Sequence, residues 1–339
     1  MPPTIKEVAE LAGVSTSAVS RAYTEGASVS AKTRKKVESS AATLGYVPSL
    51  IARSLATNRT KLIGLIANNF QNPVFLDVFD LYTQALQARG LRPLLVNLTN
   101  VTDPTESLRM LRQYSVDGVI VATSTLPPGF AVAFRDSGIP VVHTFGRNSR
   151  KPKVHVVGID NVGCGKLAAD TLIAHGYRSV AFLGGPQFAT STQDRALGFS
   201  RQLEAAGAKA PKLFYANAYA YDAGRQAMTH LMRKKGIEAV FCGDDLICMG
   251  AIDAARDMGR RVPDDIGFLG FNDMTMASWS AYNLTTIRQP IREIILESVN
   301  LVVSLLEDPA RPPACKLFTC TVVERKSLRA VSAGIGKRR

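Results

Sequence analysis

From Lys61 to about residue 325, short apolar runs alternate with amphipathic stretches of about 12–18 residues, and this alternation narrows the possible folds more than any other feature. Runs such as KLIGLIAN, RPLLVNLT, DGVIVATS and PVVHTFG read as strands buried on both faces. Between them lie helical patterns such as FLDVFDLYTQALQARG and TESLRMLRQYS. A second series follows, with HVVGID, SVAFLGG, KLFYAN, AVFCGD and DIGFLGFND, again separated by helices. Repeated strand–helix–strand units give doubly wound α/β sheets. Two series of four or five strands suit two sheets better than one very wide one. The change from one to the other is expected near Asp160, and the last elements (TTIRQ, a helix at about 291–307 and KLFTCTVVER) are read as able to return to the first sheet. Ligands of such folds bind at the carboxyl ends of the strands, so a cleft between two lobes would be lined from both.

The first 46 residues follow a different rule and read as all-helical. Thr4 and Glu7 form a capping box that starts a helix with Ile5, Val8, Ala9 and Ala12 on its inner face. Gly13 ends it, because glycine enters the left-handed turn at little cost. Val14 plugs the corner, and Ser15 caps a second helix whose Ala18 and Val19 pack inward, leaving Thr16, Ser17, Ser20 and Arg21 outward. A third helix, SAKTRKKVESSAATLGY, has Ser30 as its cap and Val37, Ala41 and Leu44 inward. Two short helices joined by a glycine-containing turn make a helix-turn-helix, whose second helix can enter the major groove of DNA. An ordinary three-helix module is the alternative that this pattern leaves open.

Lys and Arg exceed Asp and Glu by 13, which favours a polyanionic partner. Only +4 of that lies in residues 1–60, so charge alone does not mark the helical part as the nucleic-acid-binding part. At 46% hydrophobic and 20% charged, the chain can bury ordinary cores. No run of about 18 apolar residues suggests a membrane span, and MPPTIKEVAELAG lacks the basic and apolar regions of a secretory signal. Five scattered cysteines (Cys164, Cys242, Cys248, Cys315 and Cys320) suit free thiols in the cytoplasm. Their spacing, with no histidine near Cys242 and Cys248, gives no metal site. No phosphate-cradling glycine motif follows a strand and no Ser/His/Asp arrangement stands out. No cofactor and no catalysis are therefore expected.

The string TIKEVAELAGVSTSAVSRAY closely resembles the signature of the lactose/galactose repressor (LacI/GalR) family of bacterial transcription regulators. VSAKTRKKVESSAATLGYVPSLIARSLAT resembles that family's third helix and hinge. The likeness continues along the chain through NPVF, GIPVV, DRALGF, VFCGDD, RVPDDIGFLGFND and LTTIRQP, in family order and spacing. It implies a helix-turn-helix headpiece (1–46), a hinge segment (47–61), and an effector-binding and dimerisation domain (62–330) of periplasmic-binding-protein type, followed by a basic tail (331–339). Lobe one would take about 62–160 and 291–325, and lobe two about 161–290.

By the same resemblance Thr16, Ser17 and Arg21 occupy base-reading positions, while Ser15 and Ser20 are phosphate contacts, which position without specifying. Leu55 matches the leucine that wedges into the central base step when the hinge becomes helical on DNA. Phe75, Phe145 and Tyr219 match positions that stack on or wall the ligand, and Arg195 matches an arginine that clamps ligand oxygens. Phe145 also reads as a core aromatic. Asp160 and Asp244 stand at strand ends, where a carboxylate either takes ligand hydroxyl hydrogens or caps the next helix. At position 272 many members carry an acid; here it is Asn272, which both donates and accepts and so tilts the expected ligand toward a sugar acid or sugar phosphate while a neutral sugar stays open. Trp279 is read either as a rim of the cleft or as lobe surface.

The reading is a transcriptional regulator, a repressor in type. It would bind a near-palindromic operator as a homodimer and respond to a small metabolite, by release more often than by promotion in this family. The tail carries no leucine heptads, which suggests a dimer and not a tetramer. The alternative is a solute-binding protein of periplasmic type without a transcriptional role.

Overall fold

A computed structural model describes residues 3–24, 26–48, 54, 59–99, 103–127, 129–234 and 236–331. The chain divides into two units, residues 1–60 and residues 61–339.

In the first unit, α1 (Ile5–Ala12), α2 (Thr16–Ala22) and α3 (Ala31–Leu44) enclose a small core. The capping box forms as the sequence suggests: the Thr4 backbone N–H donates to Glu7 Oε2 at 2.6 Å and the Glu7 N–H donates back to Thr4 Oγ1 at 3.4 Å. Gly13 ends α1 at φ +64°. The Ser15 hydroxyl accepts from the Ala18 N–H and the Ser30 hydroxyl from the Thr33 N–H, so both following helices carry side-chain caps. Val8, Val19 and Val37 are fully buried among Ala9, Ala12, Ala22 and Ala41, with Ile5, Val14, Leu44 and the Tyr23–Tyr46 ring pair around them. The small alanines at these contacts let three short helices approach closely enough to bury valine side chains.

The second unit holds two six-stranded sheets. In the first, β1 (Leu62–Ala67), β2 (Arg92–Asn97), β3 (Gly118–Ala122), β4 (Val141–Thr144), β5 (His155–Ile159) and β11 (Cys315–Phe318) lie in the order 11-5-4-3-1-2, every pair parallel. In the second, β6 (Val180–Gly184), β7 (Lys212–Tyr215), β8 (Ala239–Cys242), β9 (Gly267–Asn272), β10 (Thr286–Arg288) and β12 (Thr321–Val323) lie in the order 12-10-9-8-6-7. Here only the β10–β12 pair is antiparallel. The apolar runs are buried along their length, as in Gly118–Ala122 and Val180–Gly184, because helices cover both faces.

In the first lobe the helices are α4 (Val74–Gln87), α5 (Thr105–Gln113), α6 (Gly129–Asp136) and α11 (Ile291–Glu307). The second lobe has α7 (Asn161–Ala174), α8 (Thr190–Ala205), α9 (Tyr221–Leu231) and α10 (Asp245–Asp257). The chain passes from the first sheet to the second after Ile159. The ending differs in part from the sequence reading. Of the two placements left open for TTIRQ, the pattern allowing the first sheet and the lobe bounds giving the second, the structure has the second: Thr286–Arg288 pairs with β9. KLFTCTVVER is split, with Cys315–Phe318 in the first sheet and Thr321–Val323 in the second. The first-lobe segment therefore stops short of residue 325. Ser327 fixes this crossing, because its hydroxyl accepts from the Thr285 N–H and donates to the Phe268 carbonyl.

Candidate functional site

The carboxyl ends of both sheets face one cavity of about 650 Å³, counting space open to solvent. Several strand ends of each sheet contribute to it. Asn69 and Asn72 follow β1, Thr123 and Ser124 follow β3, and Phe145 follows β4; Ile159 closes β5 and Asn161 opens α7. From the second lobe come Ser191 and Arg195 of α8, Tyr219 after β7, Gly243 and Asp244 after β8, Asn272 at the end of β9 and Gln289 after β10. Phe75, Val78 and Ile291 supply apolar wall.

Arg195 is the lining cation. Its side chain is buried, with the guanidinium carbon 3.5 Å from the centre of the Phe271 ring. Nε donates to Asn161 Oδ1 at 2.9 Å and one terminal nitrogen donates to the Gly243 carbonyl at 2.7 Å. Stacking and two neutral acceptors fix the plane of the fork. Among the described residues no carboxylate lies within ion-pair distance of it. Its position depends on how closely α7 and α8 approach: a Cβ on Gly198 would lie 1.9 Å from the Val162 carbonyl oxygen, and one on Gly165 would lie 2.2 Å from that of Arg195.

Asp244 takes one of the two roles that the sequence left open, the helix cap. Oδ1 accepts from the backbone N–H groups of Leu246 and Ile247 at 2.8 and 3.4 Å, capping α10. Oδ2 accepts from the Asn272 amide at 2.8 Å and from the Asn72 amide of the opposite lobe at 3.0 Å. Burial pushes its carboxyl above the usual range, against these hydrogen bonds and the charge of Arg195. Beside it, Asp245 is fully buried and raised to about 7 by burial, although the Thr286 hydroxyl and the Met274 N–H donate to it.

Two further lining residues hold backbone conformations that side chains disfavour. Phe145 has φ +63° and Asn272 φ +123°. The Phe145 N–H donates to the Val157 carbonyl at 2.9 Å, which ties this turn to β5. Asn272 donates to Asp244, accepts from Gln289 at 2.5 Å, and precedes Asp273, which Arg288 and Arg325 hold at 2.6 and 2.7 Å. The strained turn therefore aims an amide into the cavity.

Of the expected effector residues, Phe75, Phe145, Arg195, Tyr219, Asp244 and Asn272 line this cavity. Asp160 does not: it is exposed at the start of α7 with no side-chain cap bond, and its neighbour Asn161 takes the inward place. Trp279 is 53% exposed and lies outside the lining. Residue typing missed Asn69, Asn72, Asn161 and Gln289. Each lies within a few residues of a strand's carboxyl end, and Asn72 and Gln289 also stand in the NPVF and LTTIRQP motifs. The lobes also meet directly, through Ser124 Oγ and Ser191 Oγ at 2.8 Å and through an Arg147–Asp194 ion pair.

In the first unit, Ser15, Thr16, Ser17, Ser20 and Arg21 are all exposed, while Val19 and Ala22 of the same helix are buried. Leu55 and most of the hinge lie outside the described residues. Among the described residues no group of metal-ligating side chains is assembled, and no helix is long and apolar enough to cross a membrane.

Residues 4–49 match the lacI family of bacterial regulatory proteins, and residues 169–328 match a periplasmic binding protein-like domain. The HTH-type transcriptional regulator CelR of Thermobifida fusca is 31% identical over 334 residues, covering 96% of this chain and 98% of its own. The HTH-type transcriptional repressor PurR of Erwinia tasmaniensis is 32% identical over 329 residues, covering 96% of each chain. Among solved structures, the lac repressor dimer bound to operator and the anti-inducer ONPF superposes with a TM-score of 0.87 at 25% identity, over 97% of this chain and 100% of that one. The CelR–cellobiose complex gives 0.72 at 29% identity, over 96% and 99%. The chain thus belongs to the lacI family of bacterial regulatory proteins, as a helix-turn-helix transcriptional regulator with a periplasmic-binding-protein-like second unit.

Proposed function

We propose that the protein is a homodimeric repressor that binds a near-palindromic operator and releases it when a neutral sugar occupies the cavity between the lobes of its second unit. The observation that carries the effector half is the composition of that cavity. It offers amides and hydroxyls that both donate and accept, aromatic rings at Phe75 and Phe145, a buried arginine and a buried carboxylate. Vicinal hydroxyls pair with such groups, and ring faces cover sugar C–H surfaces. A phosphate or carboxylate ligand would meet one cation, Arg195, offset by Asp244, so the carboxylate that position 272 lacks is supplied from position 244. This favours a neutral sugar over a sugar acid or sugar phosphate. The relative CelR, solved with cellobiose, supports the same class.

The DNA half rests on the exposed hydroxyls and Arg21 of α2, with Thr16, Ser17 and Arg21 reading bases and Ser15 and Ser20 contacting phosphates. A headpiece of lacI type joined to a binding domain in one chain favours a regulator over a solute-binding protein. Linkage supplies the mechanism: whatever factor the sugar takes from operator affinity, the operator takes from sugar affinity. Fluorescence anisotropy on a selected operator tests it. Addition of the bound sugar is expected to weaken binding at least fivefold, while the corresponding sugar phosphate has less effect. Tighter binding and stronger release with the phosphate would refute the neutral-sugar reading.

A further inference from the structure

We propose that the effector is a saccharide of at least two rings, whose second ring sits in an outer compartment of the cleft against Phe188; this rests on the reading of the inner cavity as a sugar site.

A second cavity of about 1120 Å³, counting space open to solvent, adjoins the first. Both are lined by Asn69, Asn72 and Tyr219, so these three residues form the shared wall of two consecutive compartments. The outer one is built from the loops after β1, β2 and β3 in the first lobe and from the loops after β6 and β7 in the second.

Three features give its ligand a chemistry. First, Phe188 lines it while 69% exposed, a large apolar ring turned to water beside polar groups. The C–H face of a pyranose is the surface that would cover it while leaving its hydroxyls to the surroundings. Second, Gln71 of one lobe and Asn217 of the other line it, and among the described residues neither side-chain amide has a hydrogen-bond partner. Each offers a donor pair and an acceptor, the match for adjacent sugar hydroxyls. Third, none of the described lining residues is charged, which argues against a phosphate, a nucleotide or an acid in this place. Because Gln71 and Asn217 come from opposite lobes, a ring held by both adds a contact across the cleft in addition to those made by the inner ring. The second ring thus strengthens the same closure that the first begins.

Isothermal titration of the full chain with glucose, galactose, mannose and xylose, and with cellobiose, maltose, lactose and xylobiose, tests this. The best disaccharide is expected to bind at least tenfold more tightly than its constituent monosaccharides. Phe188→Ala, on an exposed side chain whose loss leaves the melting temperature unchanged, is expected to cut that advantage to less than threefold. Asn217→Ala is expected to act in the same direction. Monosaccharide binding with no gain from a second ring, or a disaccharide gain untouched by Phe188→Ala, overturns the outer compartment and leaves the inner sugar site standing. Failure of every sugar in the panel to bind overturns both.

Discussion

Arg195 lines the cavity and is held in place by its neighbours, so the proposed sugar site makes a direct prediction for it. Its fork is spent on Asn161 and Gly243 and its plane on Phe271, so replacing it removes a positioned cation and leaves two buried acceptors without their donor. Arg195→Ala is expected to lose about 1.5–3 kcal/mol of sugar affinity, the range for hydrogen bonds to charged groups, and to keep operator binding. Arg195→Lys is not expected to rescue it, since an ammonium reproduces neither the fork nor the stacking. Titration calorimetry and anisotropy together check this, and a sugar response intact in Arg195→Ala would contradict the placement. Asp245 gives a pH signature. Its folded-state carboxyl titrates at about 7 against an ordinary 3.8, so the protonated form stabilises the fold. That stability is complete below about pH 4, declines as pH rises toward 7 and levels above it. In denaturant unfolding at pH 5 and pH 8, the advantage of the wild type over Asp245→Asn is expected to be larger at pH 5. At this level the sequence was partly legible. Residue type and strand-end position pointed to Arg195, Asp244 and Asn272. They did not separate Asp160 from Asn161, because a one-residue shift at the start of a helix decides which side chain turns inward. Nor did they reveal that the Asn272 amide donates to Asp244, which depends on two loops meeting.

Helices and their caps were the most legible features, since a capping box or a C-terminal glycine is decided within a few residues. Gly13 shows the physics in isolation. At φ +64°, with nothing within 4 Å of where a Cβ would stand, Gly13→Ala costs only backbone strain, about 1–2 kcal/mol for a left-handed L-residue. Thermal unfolding of the first unit is expected to shift down accordingly. Gly198 is the opposite case, because its Cβ would strike the Val162 backbone oxygen. Gly198→Ala is expected to force α8 away from α7, destabilise the second unit by about 1–3 kcal/mol or more and weaken sugar binding by displacing Arg195. Destabilisation without any loss of sugar affinity would separate the helix pair from the site. Arg21 of α2, exposed and without a core role, is expected to lose about 1–3 kcal/mol of operator discrimination when changed to alanine, with folding unchanged. The ends of the second unit were the least legible elements. A three-residue strand such as Thr321–Val323 carries no periodicity of its own, and its antiparallel pairing with Thr286–Arg288 is a long-range choice of register.

Taken together, two sheets joined by three chain crossings make a cleft whose floor is shared by both lobes, so a ligand that bridges them acts on their relative position. The two-lobe plan was visible in the strand series, because parallel sheets bury every strand and so repeat one apolar pattern. The crossing near 290 came only through the family resemblance and the one at 319–320 not at all, since no local residue preference marks where a chain changes sheet. Light scattering is expected to give twice the 36.5 kDa chain mass, since a near-palindromic operator calls for two headpieces. Coupling between cleft and DNA is tested by recovering fragments of sheared genomic DNA from the source organism on the protein at physiological salt, with and without the saccharide panel, and sequencing them. A small set of near-palindromic sites, lost when one saccharide is added, is the predicted result. Uniform recovery of all fragments, unchanged by any saccharide, would reduce the DNA affinity to charge alone and contradict the coupling.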